Sequence, residues 1–187
     1  MTPILGILAS QISGHLETGA FESIATVTAT GGETSLSFTS IAGTYKSLQI
    51  RGISRRADSG TTISTDALRF NSDTTANYTT HRLSGDGATV TAGGNGGATE
   101  IVFSRGAGAT ATAGMFGAVI ADIIDYASTT KYKTVRSLTG FDINASGGNI
   151  YLYSGAWLST SAITSITIYA NGNTIAAGET YALYGVN

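Results

Sequence analysis

Two stretches, Ile24-Ala25-Thr26-Val27-Thr28-Ala29 and Leu36-Ser37-Phe38-Thr39-Ser40-Ile41, stand on either side of Gly31-Gly32. In both, apolar side chains fall on every second or third position among Thr and Ser, the pattern of a strand with one face in a core. A Gly-Gly step between two such stretches predicts a hairpin. The same grammar continues through the chain. Across Tyr45–Ile53, Leu48, Ile50 and Gly52 share one face while Gln49 and Arg51 share the other. Further strands are expected at Ala67–Phe70, Tyr78–Leu83, Glu100–Ser104, Phe116–Tyr126, Tyr132–Leu138, Asn149–Leu158, Ile163–Ala170 and Tyr181–Val186. That makes about eleven strands at the spacing of a sandwich or barrel. Met115–Tyr126 also fits a helical spacing, but Gly114, Gly117 and a β-branched run favour a strand covered on both faces. Gly85–Thr99 and Arg105–Gly114, built mostly from Gly, Ala, Thr and Asn, cannot supply a core and are expected as exposed loops. The expected fold is all-β, an antiparallel jelly-roll-like β-sandwich over residues 20–187.

Residues 1–19 follow another period. Ile4, Leu8, Ile12 and Leu16 would line one helical face, with Leu5 and Ile7 beside it, Pro3 in a first turn and Thr2 as cap. Gly14 and Glu17-Thr18-Gly19 then form a hinge, so Ile4, Leu5, Ile7, Leu8, Ile12 and Leu16 are expected to form a docking arm, read from its spacing as a short helix, that reaches a neighbouring subunit. Docking on the chain's own sandwich is the other reading. No basic region precedes the apolar residues, so no secretion signal is expected, and no run approaches the ~20 apolar residues that span a bilayer.

Charged residues are only 12% of the chain against about 25% in ordinary globular domains, with a net charge of −2. Ser, Thr, Gly, Asn and Ala carry the polarity instead. Such a surface suits permanent contact with neighbours, because little charge repulsion keeps copies apart. The 187 residues hold no Cys, which excludes disulfides and thiolate metal sites.

Few residues could carry chemistry. His15 lies in the arm, and His81, near Asp73 and Asp86, is better explained by a structural hydrogen bond than by acid–base work. Asp122 and Asp125 are three apart and diverge on a strand, so they do not form a glycosidase pair. Asn71-Ser72-Asp73-Thr74-Thr75-Ala76-Asn77 is rich in oxygen ligands but lacks the acidic spacing of a calcium loop, and reads as an Asx-type turn. The basic group Arg51, Arg55, Arg56 and Arg69 sits in an acidic chain and points to salt bridges or an acidic partner rather than to nucleic acid. Gly93-Gly94-Asn95-Gly96-Gly97 lacks the strand–helix context and lysine of a phosphate cradle. Tyr151, Tyr153 and Trp157 share one parity. Core is the first reading for these rings; exposed, they would form a glycan-contact platform, since amphipathic rings stack on apolar sugar faces. No cofactor, nucleic-acid partner or membrane insertion is expected, and no enzymatic activity.

Pro3–Ser10, Phe21–Val27, Tyr45–Gly52, Arg69–Asp73 with Asn77-Tyr78, Ala162–Ile166 and Tyr181–Gly185 span nearly the whole chain in order. Taken together, these segments resemble a group of small virion structural proteins of tailed bacteriophages (tail, fibre or decoration proteins), and contact with a host surface glycan follows from that resemblance as an expectation. The resemblance implies a virion protein, assembled in the host cytoplasm, whose partners are other tail or capsid proteins and further copies of itself, as in a trimer. The expected function is a non-enzymatic tail fibre, adaptor or surface appendage anchored by its arm. The alternatives are a capsid decoration protein that cements the shell and a carbohydrate-binding module for host attachment.

Overall fold

The computed structural model describes residues 19–57, 60–143 and 147–187. Twelve strands and no helix appear among them: β1 (Phe21–Thr28), β2 (Ser35–Phe38), β3 (Ser47–Ser54), β4 (Ile63–Phe70), β5 (Tyr78–Gly85), β6 (Val90–Ala98), β7 (Ile101–Ala107), β8 (Gly117–Ile124), β9 (Lys133–Asp142), β10 (Gly148–Trp157), β11 (Ile166–Tyr169) and β12 (Thr180–Val186). They form an eight-stranded sheet in the order β1-β12-β3-β8-β9-β10-β5-β6 and a four-stranded sheet in the order β2-β11-β4-β7. All strand pairings are antiparallel.

Setting aside two inserted hairpins makes the architecture plain. Without β5–β6 and β9–β10, eight strands remain, and the first pairs with the last, the second with the next to last, and so inward: β1 with β12, β2 with β11, β3 with β8, β4 with β7. One long antiparallel ribbon is thus folded over itself, which is the wrapping of a jelly roll. The two inserted hairpins pair with each other through β10 and β5 and widen the large sheet beyond the small one.

This topology overturns the hairpin expected at Gly31-Gly32. β1 and β2 do not pair; they lie in different sheets, and the glycines form the corner between them with φ of 105° and 94°. The Glu33 carboxylate secures that corner by accepting from the Thr30 N–H, the Thr30 hydroxyl and the Gly31 N–H, which lowers its pKa to about 2. A period of two identifies strands but not their partners, and positive-φ glycines serve a sheet-to-sheet corner as well as a hairpin.

Two further expectations are corrected. Gly85–Thr99 is not a loop throughout, since Val90–Ala98 pairs along β5 as an edge strand, held by backbone bonds that need no apolar side chain. Arg105–Gly114 likewise begins inside β7. β8 is covered on one face only: Val119, Ala121 and Ile123 are buried, while Ile120 and Ile124 are 39% and 41% exposed.

The core lies between the sheets, where Leu48, Ile50, Val119, Ile123 and Leu183 of the large sheet meet Leu68, Phe70, Phe103, Ile166 and Ile168 of the small one. Trp157 packs with its ring centroid 5.6 Å from Phe70 and stacks on Tyr78 at 6.3 Å. Gly106 of β7 and Gly117 of β8 bring the two backbones together; a Cβ on Gly117 would sit 2.6 Å from the Gly106 Cα.

Candidate binding surfaces

The docking-arm residues Ile4, Leu5, Ile7, Leu8, Ile12 and Leu16 lie outside the described residues. Tyr151, Tyr153 and Trp157 do share a face, and it is the inner one: they are 7%, 2% and 2% exposed. Their rings are core, and the glycan platform they would have formed if exposed does not exist. The reason is that β10 lies in the middle of the widened sheet, with β7 packed over its inner side.

The candidate acid–base groups lie apart, and the carboxylates among them are held by hydrogen bonds and ion pairs of the fold. Asp73 accepts from the Thr75 N–H and hydroxyl, from the Asn77 amide, and from the Trp157 indole at 2.7 Å. Burial would raise its carboxyl, but these donors outweigh burial and hold it well below the usual range. Asp86 caps the β5–β6 turn by accepting from the Ala88 and Thr89 N–H groups. His81 points to the outer face, over Gly94. Asp122 and Asp125 part company, the first bound by Gln49 and Arg136, the second by Lys131. No group of three or more potential metal ligands occurs among the described residues.

The basic group also disperses. Arg51 lies 4.9 Å from the Phe21 ring centroid and 5.0 Å from that of Tyr184. Arg55 donates to the carbonyls of Ala109, Ala111, Thr112 and Met115, tying down the loop after β7. Arg69 pairs with Glu100 at 3.0 Å. Arg56 is fully buried against Asp66, whose other oxygen accepts from the Tyr181 hydroxyl. Close by, Glu179 is buried and accepts from the Arg55 N–H. Burial and the charge of Asp66 push its carboxyl up to about 8. Two buried carboxyls facing one guanidinium cannot both ionise cheaply, so Glu179 keeps its proton.

Two surfaces remain open. The first is the outer face of the large sheet. Four apolar side chains stand directly opposite one another across four strands: Ile120, Leu138, Leu152 and Leu83. The next row holds Ile53, Ala118, Gly140, Ile150, Gly85 and Val90. Leu138, Leu152, Leu83, Ile150 and Val90 are 51%, 47%, 50%, 65% and 73% exposed. Between the rows runs a shallow groove of about 400 Å³ over Gly140, bordered by Ile120, Leu138 and Ile150. On its other side the apolar ladder meets a polar row, Gln49–Asp122–Arg136, linked by bonds of 2.8 and 2.9 Å.

The second surface is a cleft of about 670 Å³ where the inserted β5–β6 hairpin overhangs β7. Its floor is the cross-strand row Tyr153–Arg82–Gly93 with the neighbouring pair Thr80–Asn95. Glu100, Val102 and Arg105 form the facing wall. Arg105 donates through Nε to the Tyr153 hydroxyl at 3.1 Å. Sequence reasoning passed over this site, although one signal was present: Arg82 shares the parity of the buried Tyr78, Thr80 and Ser84.

No helix among the described residues is long and apolar enough to cross a membrane. No protein-family model, curated protein or solved structure matches the chain.

Proposed function

We propose that this chain is a non-enzymatic structural module of a bacteriophage virion, a tail fibre, adaptor or surface appendage, which assembles with copies of itself through the outer face of its large sheet and attaches to a neighbouring virion protein through residues 1–19. The observation that carries the reading is that outer face. One row of four large aliphatic side chains, beside a second in which Ile53, Ile150 and Val90 are interspersed with Ala and Gly, costs solvation in a lone molecule and gains it back when covered.

The occupant is a second copy of this chain. Eight strands spaced by ~4.8 Å and eight residues long present on the order of 900 Å². A stable interface takes about 800 Å² from each partner, so one face against another is sufficient. The net charge of −2 offers little repulsion between copies. The bordering Gln49–Asp122–Arg136 row is internally neutralised, so a facing copy need not supply a counter-charge.

Attachment is tested on particles. Deleting residues 1–16 is expected to leave a folded β protein that no longer enters virions; normal incorporation contradicts the anchor. Particles lacking the protein are expected to lose adsorption and keep their DNA under osmotic shock. Loss of DNA would instead assign the chain to the capsid as a cement.

A further inference from the structure

The cleft under the β5–β6 hairpin holds unused chemistry. Arg82 makes no ion pair among the described residues, and Arg105 meets no carboxylate there, only the Tyr153 hydroxyl and, at 5.6 Å, the Tyr151 ring. The one acid on the wall, Glu100, is already engaged by Arg69. An acidic protein therefore concentrates two unneutralised guanidiniums in one concavity. Beside them the Thr80 Oγ1 is buried and has no hydrogen-bond partner among the described residues. A buried hydroxyl left unpaired costs about 1–3 kcal/mol, so it calls for a ligand group that pairs with it.

A glycine shapes the floor. Gly93 lies beside Arg82 on β6, and the Arg82 guanidinium runs across it, with Nε 3.6 Å from where a Cβ would stand. A side chain at that position would press on the guanidinium and fill space a ligand needs. The volume, about 670 Å³, suits a small molecule or one to three sugar rings.

From this geometry we infer that the cleft binds an acidic sugar, a ring that carries a carboxylate for Arg82 and Arg105 and hydroxyl groups for Thr80 and Asn95. A planar carboxylate matches the fork of a guanidinium, and the neutral Thr and Asn groups match a polyol. The site is independent of where the module is assembled, and of the three rings on the inner face of β10 only Tyr153 borders it, its hydroxyl accepting from Arg105.

The test is calorimetric titration of the full-length protein with an oligogalacturonate, a neutral maltooligosaccharide of equal length, and inorganic phosphate. Saturable binding is expected for the oligogalacturonate, at least tenfold tighter than for either control. Arg82→Ala is expected to weaken it tenfold or more with an unchanged circular dichroism spectrum. Thr80→Val is expected to weaken it several-fold while leaving Tm equal or higher, because the orphaned hydroxyl is removed. Absence of binding, equal binding of the neutral sugar or of phosphate, or insensitivity to both substitutions would overturn the assignment.

Discussion

At the scale of single residues, the least ordinary feature is charge buried inside a chain that has little charge to spend. Arg56, Asp66, Glu179 and Tyr181 form one buried cluster. Its polar satisfaction is incomplete, since Arg56 Nε and Nη1 and Glu179 Oε1 have no partner among the described residues. Glu179 keeps its proton in the fold up to about pH 8, whereas in the unfolded chain it ionises near pH 4.5. Between those values the unfolded state binds fewer protons than the native state, so stability falls as pH rises, with a slope approaching about 1.4 kcal/mol per unit, and then levels off above pH 8. Urea titrations of Glu179→Gln are expected to decline less steeply than the parent over this window, buried Asp66 being the carboxyl that is still raised, and to show a variant more stable than the parent at pH 8. A parent curve with no decline between pH 5 and 8 would contradict the protonated Glu179. The sequence carried a trace of the cluster. Asp66 has the parity of Ser64, Leu68 and Phe70, all buried, and an acid on a core parity demands a cation. Arg56 sits in what reads as a loop, and nothing local says that it turns inward.

At the scale of elements, the inner faces are set by glycines as much as by large side chains. Gly52 lies beneath the Tyr181 ring, whose Cδ1 is 2.3 Å from where a Cβ would be. Gly106 and Gly117 let the two sheets touch. Gly117→Ala is expected to destabilise the protein by about 1–3 kcal/mol, the usual cost of overpacking, read as a lower urea midpoint at constant m. Gly60→Ala, at an open position, serves as the control and should change little. The strands themselves were legible wherever side chains alternate. β12 and β10 came within a residue or two of their bounds, because every second residue there is buried. β6 was not legible, since Gly-rich backbone pairs without leaving a hydrophobic signature. Partners were not legible either. The corner at Gly31-Gly32 resembles a hairpin locally, and only the pairing of β1 with β12, at the other end of the chain, shows that it is not one.

At the scale of the whole molecule, a jelly roll widened by two hairpins gives one sheet twice the width of the other. The excess width creates both open surfaces: the cleft where β5–β6 overhangs β7, and the broad outer face on which aliphatic rows continue across β8, β9, β10 and β5. The sequence pointed to permanent contacts through its low charge, and β8 read as a strand covered on both faces. In the single chain Ile120 and Ile124 on the outer face of β8 are exposed, which contradicts cover on both faces; the proposed contact between copies would cover them. The most direct measurement is the mass of the purified protein by multi-angle light scattering, beside the variant Leu138→Asp with Leu152→Asp. The account predicts an oligomer for the parent at micromolar concentration and a folded monomer for the variant. A monomeric parent, or a variant that keeps the parent's mass, would contradict it.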